Sequence, residues 1–282
     1  SLINGFPSAA GQTFDVLTAG SAPTGTFAGA NLPFGFASGV SSSSIRLTSS
    51  GLVCLGVCWD GGAGLGDTRW SNALNWTGDA VPLSGSSVYV NAASGTNVTL
   101  GSGTYSVASL TIGTGNGLAI SGGSLAVSGS TSVAGSLSLS STGTATLAGG
   151  LSGAGSVSVA GGRLDLGAPS NIASLAQSAG LIVGSHGFNV SNSFNQSGGV
   201  VDLGSLVATQ AVGTLTVGGA ISASGSLSLT AAAGLTLNPG SSLSSTANSG
   251  DSVVLKTGSG PFINNAGSAA LVTAGSARWL VY

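Results

Sequence analysis

Short apolar couplets recur through a background of Gly, Ser, Thr and Ala from about Val98 to Leu255. One series reads Leu118/Ile120, Leu137/Leu139, Val157/Val159 and Leu181/Val183, and a second reads Leu125/Val127, Ala145/Leu147, Leu164/Leu166 and Phe188/Val190. Ile112, Val133, Leu151, Leu175 and Phe194 fall between them as a third series. Two apolar residues flanking one small residue give the alternation of a strand with one buried face. Members of a series advance by roughly 19 to 24 residues per step, the period of a stacked repeat. Three apolar sites per period, separated by small-residue turns, predict an all-β chain folded as a three-sided parallel β-helix, a β-solenoid of about 20 residues per coil.

The same periodicity suggests how the chain is divided. Residues 1–57 are irregular and hold Phe6, Phe14, Phe27, Phe34 and Phe36; they read as terminal coils of a preceding β-helical module. The texture changes over 58–87, where Trp59, Trp70 and Trp76 accompany Asp60, Asp67, Asp79 and the bend Gly61-Gly62-Ala63-Gly64-Leu65-Gly66. This stretch is expected to be a boundary whose large aromatics cap the open end of the stack, where unpaired backbone would otherwise invite aggregation. The regular β-helix is expected over 88–255, with 256–282 as irregular last coils leading to a missing continuation. Both termini read as cut from a longer exported polypeptide.

Composition sharpens this reading. Hydrophobic residues make up 42% of the 282 positions and charged residues 4%, so solubility must rest on hydroxyls and exposed backbone. Gly-rich, polar low complexity would also suit a disordered chain, but the regularly placed Leu, Val and Ile and the low charge oppose that. Arg46, Arg69, Arg163, Lys256 and Arg278 are scattered and the formal net charge is -2, which leaves no patch able to neutralise several phosphates and argues against nucleic-acid binding. Gly, Ser or Thr interrupts every apolar run before the ~18 residues a membrane-spanning helix needs.

Little in the chain points to catalysis. His186 is the single histidine and is expected at a water-exposed corner, where Asp165 or Asp202 on an adjacent coil could approach it, without any nucleophile signature. A glycan-cleaving β-helix would need two or more carboxylates converging in a groove, and the regular region offers Asp165, Asp202 and Asp251. Alternation points Asp165 and Asp202 outward, on the same flank. The bend before Asp67 begins like a calcium-binding Gly-Gly-x-Gly-x-Asp repeat, but the Asp comes one place late and the unit does not recur; a structural turn is expected. No catalytic, cofactor or metal site is assigned. Cys54 and Cys58 can come within bridging range if the chain turns at Gly56, and a disulfide there would contribute roughly 2 kcal/mol. Asn75, Asn97, Asn189 and Asn195 begin Asn-x-Ser/Thr triplets, which chance produces readily in a Ser/Thr-rich chain.

The Leu/Val ladder, the rhythm of Gly123-Ser124-Leu125-Ala126-Val127 and the closing Ala277-Arg278-Trp279-Leu280-Val281-Tyr282 resemble filamentous-haemagglutinin-type exoproteins of Gram-negative bacteria. The Trp70-to-Pro82 segment resembles module starts in large autotransporter and two-partner-secreted passengers. The resemblance implies a right-handed β-helical shaft, exported through an outer-membrane β-barrel transporter and secreted or displayed at the cell surface. It implies a role in cell adhesion, aggregation or biofilm, with host or matrix glycans or proteins as contacts. The expected function is therefore the structural shaft of a large adhesin or biofilm-matrix protein, not an enzyme. The alternatives are an autotransporter passenger with direct binding or self-association, and a glycan-active β-helix enzyme.

Overall fold

The computed structural model describes residues 11–21, 23, 36–40, 42–49, 54–64, 66–92 and 95–282. Parallel stacked coils form a β-solenoid of about eight turns with roughly 20 residues per turn. Each turn contributes one short strand to each of three walls. Along the first wall, Ser87–Val90, Ser109–Ile112 and Thr131–Val133 pair in parallel, residue over residue. Along the second, Asn97–Leu100, Gly117–Ile120, Ser136–Leu139 and the start of Ser156–Leu166 do the same. Along the third, Thr104–Val107, Ser124–Val127 and Thr144–Leu147 stack in the same way.

Strand alternation decides what fills the interior. Leu118, Leu137 and Val157 are mutual register partners, as are Ile120, Leu139 and Val159, and all six are at most 1% exposed. The third wall lays Leu125, Ala145 and Leu164 over one another. Each of these inward side chains is thus packed between coils, and one continuous apolar core runs from Trp59 to Ala270. The residues between them, such as Thr99, Ser138 and Ser158, point outward, where a hydroxyl keeps strand propensity without charge.

Tight corners join the walls. Gly153 has φ 144°, and a Cβ there would lie 2.0 Å from the Val133 carbonyl oxygen of the preceding coil. Only a residue without a side chain fits that conformation at that distance. Another corner is filled by Asn116, 3% exposed, whose carbonyl accepts from the Ala92 and Thr96 N–H groups while its amide donates to Ala92 O and Thr114 O. A single side chain thereby satisfies backbone groups that a buried bend would otherwise leave unpaired.

The structure corrects the wall assignment beyond residue 166. The apolar series puts Leu181/Val183 over Val157/Val159, Phe188/Val190 over Leu164/Leu166, and Leu175 over Leu151. Instead Val157 pairs with Leu175 and Val159 with Gln177, while Leu164 pairs with Ile182, leaving Leu181 and Val183 on the outward side. Phe188 lies over Ser170 on the first wall, and Phe194 over Leu175 on the second. The coil at this point is short: Ser170 to Phe188 completes a turn in 18 residues, whereas Leu227 to Val253 takes 26.

A chemical reason explains why the series slipped. Two inward positions of that short coil carry Ser170 and Gln177 instead of aliphatics, so the couplets that would mark it are absent. Ser170 Oγ accepts from the Leu151 N–H and donates to Ala168 O, carrying the first wall past the end of strand Leu151–Ser152. Gln177 stacks on Gln196, whose amide donates to Gln177 Oε1 and Ala220 O; Gln177 in turn donates to Gly180 O and Val200 O. Both glutamines are buried, at 2% and 0% exposure, and the hydrogen-bonded ladder makes that burial tolerable.

Two flanking segments also depart from expectation. Residues 1–10, 22, 24–35, 41 and 50–53 of the module expected over 1–57 lie outside the described residues. The strands within it, Thr13–Thr18, Phe36–Val40 and Ser44–Ser49, form a three-stranded antiparallel sheet with Ser44–Ser49 in the centre. Their antiparallel pairing differs from the parallel stacking of the solenoid coils. Conversely, the last residues, expected to be irregular, keep the register: Phe262 lies over Leu235, Leu271 over Leu243 and Trp279 over Val253.

The glutamine ladder yields a direct test. Gln177→Leu keeps volume but strips the hydrogen bonds to Gly180 O, Val200 O and Gln196, and should cost about 1–3 kcal/mol in urea unfolding. Parental stability in that variant would show that the ladder does not hold the short coil.

Candidate functional site

The features richest in specific side-chain chemistry gather at the start of the solenoid. Trp59, Trp70 and Trp76 are 3%, 0% and 0% exposed. The Trp76 ring meets Trp59 edge-on at 5.1 Å between centroids and Trp70 at 4.7 Å, and Trp70 lies 6.1 Å from Tyr105 of the third wall. Edge-to-face packing lets large rings fill the end of the core at little cost in strain. Trp76 Nε1 donates to the backbone Trp70 O at 2.8 Å, which ties the Trp76 ring to the turn that carries Trp70.

The backbone around these rings continues the walls. Strand Val57–Cys58 pairs with Ser87–Val90, and the Trp59 N–H donates to Tyr89 O at 2.9 Å. On the second wall Arg69 pairs in parallel with Thr99, the Thr99 N–H donating to Thr68 O and the Trp70 N–H to Thr99 O. Trp59 and Trp76 are themselves bridged, in antiparallel fashion. Residues 58–87 therefore place rings over the core and backbone over two of the strand edges.

Asp67 organises the turn between Trp59 and Trp76. Its carboxylate accepts from Arg69 Nε and Nη2, from the Arg69 N–H, from Asn72 Nδ2 at 2.7 Å and from Asn75 Nδ2 at 3.3 Å. Hydrogen bonds from the Arg69 side chain, then from the Arg69 backbone and Asn72, hold the Asp67 carboxyl well below the usual carboxylate range. Asp60 differs: burial pushes its pKa up, and the nearby Asp79 charge adds to that, although the Gly62 N–H donates to it at 3.1 Å. Asp67 thus serves as a hydrogen-bond hub of the turn. Among the described residues no three His, Cys, Asp or Glu side chains cluster as metal ligands would.

Cys54 and Cys58 are joined as a disulfide with Cα atoms 5.9 Å apart. Cys58 is fully buried and Cys54 partly exposed. The Cys58 N–H donates to Thr77 Oγ1 at 3.0 Å and the Thr77 N–H returns a bond to Cys58 O at 2.9 Å. The bridge therefore sits beside the Trp cluster, on the first strand of the first wall.

The remaining charged groups are dispersed. Arg46 pairs with Asp15, Arg69 with Asp67, Arg163 with Asp165 and Arg278 with Asp251. Asp165 and Asp202 do share one wall, but Val183 stands between them in register, a separation of two coil steps or about 10 Å. Asp202 accepts from Ser222 Oγ at 2.7 Å. His186 is exposed at a corner, with Ser185 Oγ 3.3 Å from its Nδ1, and makes no hydrogen bond to a carboxylate. Of the four Asn-x-Ser/Thr triplets, Asn75 is buried, bonded through its side chain to Ala63 N, Asp67 and Arg69 O, and so closed to a transferase. Asn97, Asn189 and Asn195 are exposed.

Outside the cap the surface is small and uncharged over long distances. The outward middle row of the second wall reads Thr99, Ala119, Ser138, Ser158, Ala176 and Asn195, each lying over the next. Beside it a shallow groove of about 630 Å³ crosses four coils, lined by residues that include Asn97, Gly117, Ser136 and Ser156. The apolar pattern gives no hint of this groove or of the buried amides of Asn116, Gln177 and Gln196. For Gln177 and Gln196 the one signal is a polar residue where the strand alternation asks for an aliphatic one.

The carboxylates of the cap make its stability depend on pH. Because the folded-state pKa of Asp67 lies below its unfolded value of about 3.9, its contribution is complete above that value and is lost as pH falls through the folded pKa. Asp60, with a raised pKa, works in the opposite direction: the cost of its buried charge disappears on protonation. Trp fluorescence should therefore report a cap that loosens between pH 4 and 2, and Asp67→Asn should flatten that dependence. An unaltered acid profile in the variant would remove Asp67 from the role assigned to it. Comparison of the chain with known protein families, with curated proteins and with solved structures gave no match.

Proposed function

We propose that this chain is a shaft segment of a large bacterial adhesin or biofilm-matrix protein of the filamentous-haemagglutinin type, secreted or displayed at the cell surface. The observation that carries the reading is the single, continuous apolar core shared by about eight turns. At about 4.8 Å per coil such a stack extends roughly 40 Å and lengthens without a thicker core. A rod of this kind holds whatever it carries at a fixed distance from its attachment.

The outer faces support the second half of the proposal, weak contact repeated many times. The hydroxyl, methyl and amide row of the second wall can meet uncharged glycan or protein surfaces with little desolvation cost and little affinity per site. Many copies side by side turn such contacts into firm attachment. The ion pairs of Arg163 with Asp165 and Arg278 with Asp251 neutralise charges that would otherwise create local steering fields. The role is structural and not catalytic; Asp165 and Asp202, set apart by Val183, are surface groups of the shaft.

Passage through an outer-membrane β-barrel transporter of a Gram-negative cell is part of the same proposal. A coil gains its burial only from its neighbours, so the chain can thread unfolded and gain stability coil by coil as it emerges. The disulfide closes a loop from residue 54 to 58 only, which leaves the rest of the chain free to thread.

Beads coated with the purified chain test the adhesive part. Retention on a glycan- or matrix-coated surface should rise more steeply than in proportion to the number of copies per bead, while the free monomer shows no measurable binding. Retention that stays at background on densely coated beads would count against adhesion by the shaft itself.

A further inference from the structure

Val57–Cys58 is, among the described residues, the strand that covers the outer side of Ser87–Val90, and it does so through two register pairs, Val57 with Val88 and Cys58 with Tyr89. A strand this short has little persistence of its own. Three things seat it: the Trp59 N–H on Tyr89 O, the reciprocal bonds between Cys58 and Thr77, and the disulfide that closes the turn from Cys54. The turn fits closely, since a Cβ on Gly56 would lie 2.2 Å from Ser87 O. With Cys58 fully buried and Cys54 partly exposed, a thiol can reach the bond from the Cys54 side.

We propose that the Cys54–Cys58 disulfide is a redox latch on the leading edge of the solenoid: reduction by a thiol or dithiol releases strand Val57–Cys58 from Ser87–Val90, and oxidation seats it again. The reductant's thiolate attacks Cys54 Sγ, the S–S bond breaks and Cys58 leaves as a thiolate that takes up a proton. A second reductant thiolate then attacks the reductant sulfur of the mixed disulfide and frees Cys54 as a thiol. Two electrons and two protons pass to the protein, and the reductant departs as its own disulfide. Release leaves the outward N–H and C=O groups of Ser87–Val90 unpaired, a template for a strand of another chain. The latch rests on the position of the bond in the fold and is independent of the adhesive role.

Amide hydrogen exchange of the whole chain, with and without dithiothreitol, tests it. Reduction should speed exchange at Trp59, Thr77 and the Ser87–Val90 segment roughly 30-fold, the factor expected from removing so small a crosslinked loop. Exchange at Leu137–Leu139 should not change. Cys54→Ser, which keeps the buried Cys58 in place, should show the faster exchange without reductant and no further response to it. Equal protection of the edge in oxidised and reduced chains overturns the latch, and so does a loss of protection that reaches Leu137–Leu139 to the same extent.

Discussion

Stacking of like on like holds this molecule together. Leu137 is buried because Leu118 lies on one side of it and Val157 on the other, and the same holds for Leu139 between Ile120 and Val159. A coil of about 20 residues that ordered itself alone would lose more in backbone entropy than its few aliphatic side chains recover on burial. Neighbouring coils supply the missing terms: burial on both faces of every side-chain layer and a ladder of hydrogen bonds on every wall. Stability is therefore a property of the stack, and the identity of any one coil matters less than its register.

That constraint explains both the monotony of the chain and its exceptions. Small residues suffice outside, because the outer face only has to be wet and β-compatible, and corners such as Gly153 exclude any side chain at all. Specific side chains gather where the repeat is interrupted. Asn116 rebuilds a corner, Ser170 and the Gln177–Gln196 ladder carry the walls across an 18-residue turn, and the three tryptophans join Val88, Val90 and Val98 in one buried cluster at the start of the core. Asp67, Asn72 and Asn75 brace that closure with a hydrogen-bonded turn, so the polar residues of the cap work for the apolar ones.

The architecture was legible in the sequence to the extent that an aliphatic residue marks each inward position. From Leu118 to Leu166 it does at every position but Thr131, and there the series keep to their walls, although Leu151 lies over Thr131 and not over Val133. At Ser170 and Gln177 the inward residues are polar, the period drops to 18 residues, and a reading by hydrophobicity skips to the next apolar couplet, one wall too far. Nothing in composition separates an inward glutamine with a partner from an outward one; the partner, Gln196, lies 19 residues on and is recognisable only once the coil length is known. The antiparallel sheet of 13–49 escaped for the converse reason, since alternation predicts strands such as Thr13–Thr18 without giving the direction of the partner. In the cap, Trp59, Trp70 and Trp76 could be singled out by size, but the hub role of Asp67 depends on donors from Arg69, Asn72 and Asn75 that only the turn brings together.

The axial stacking of coils can be measured with paired spin labels on the second wall. Thr99 and Thr236 are outward residues of one column, linked through Ala119, Ser138, Ser158, Ala176, Asn195 and Thr216 by seven coil steps, the step from Asn195 to Thr216 following from the adjacent pair Gln196 and Val217. With cysteines introduced at both positions, pulsed dipolar spectroscopy should give a single narrow distribution centred near 34 Å, seven spacings of about 4.8 Å. A distance below about 20 Å, or a broad distribution without a maximum, would mean that the strands are not stacked along one axis.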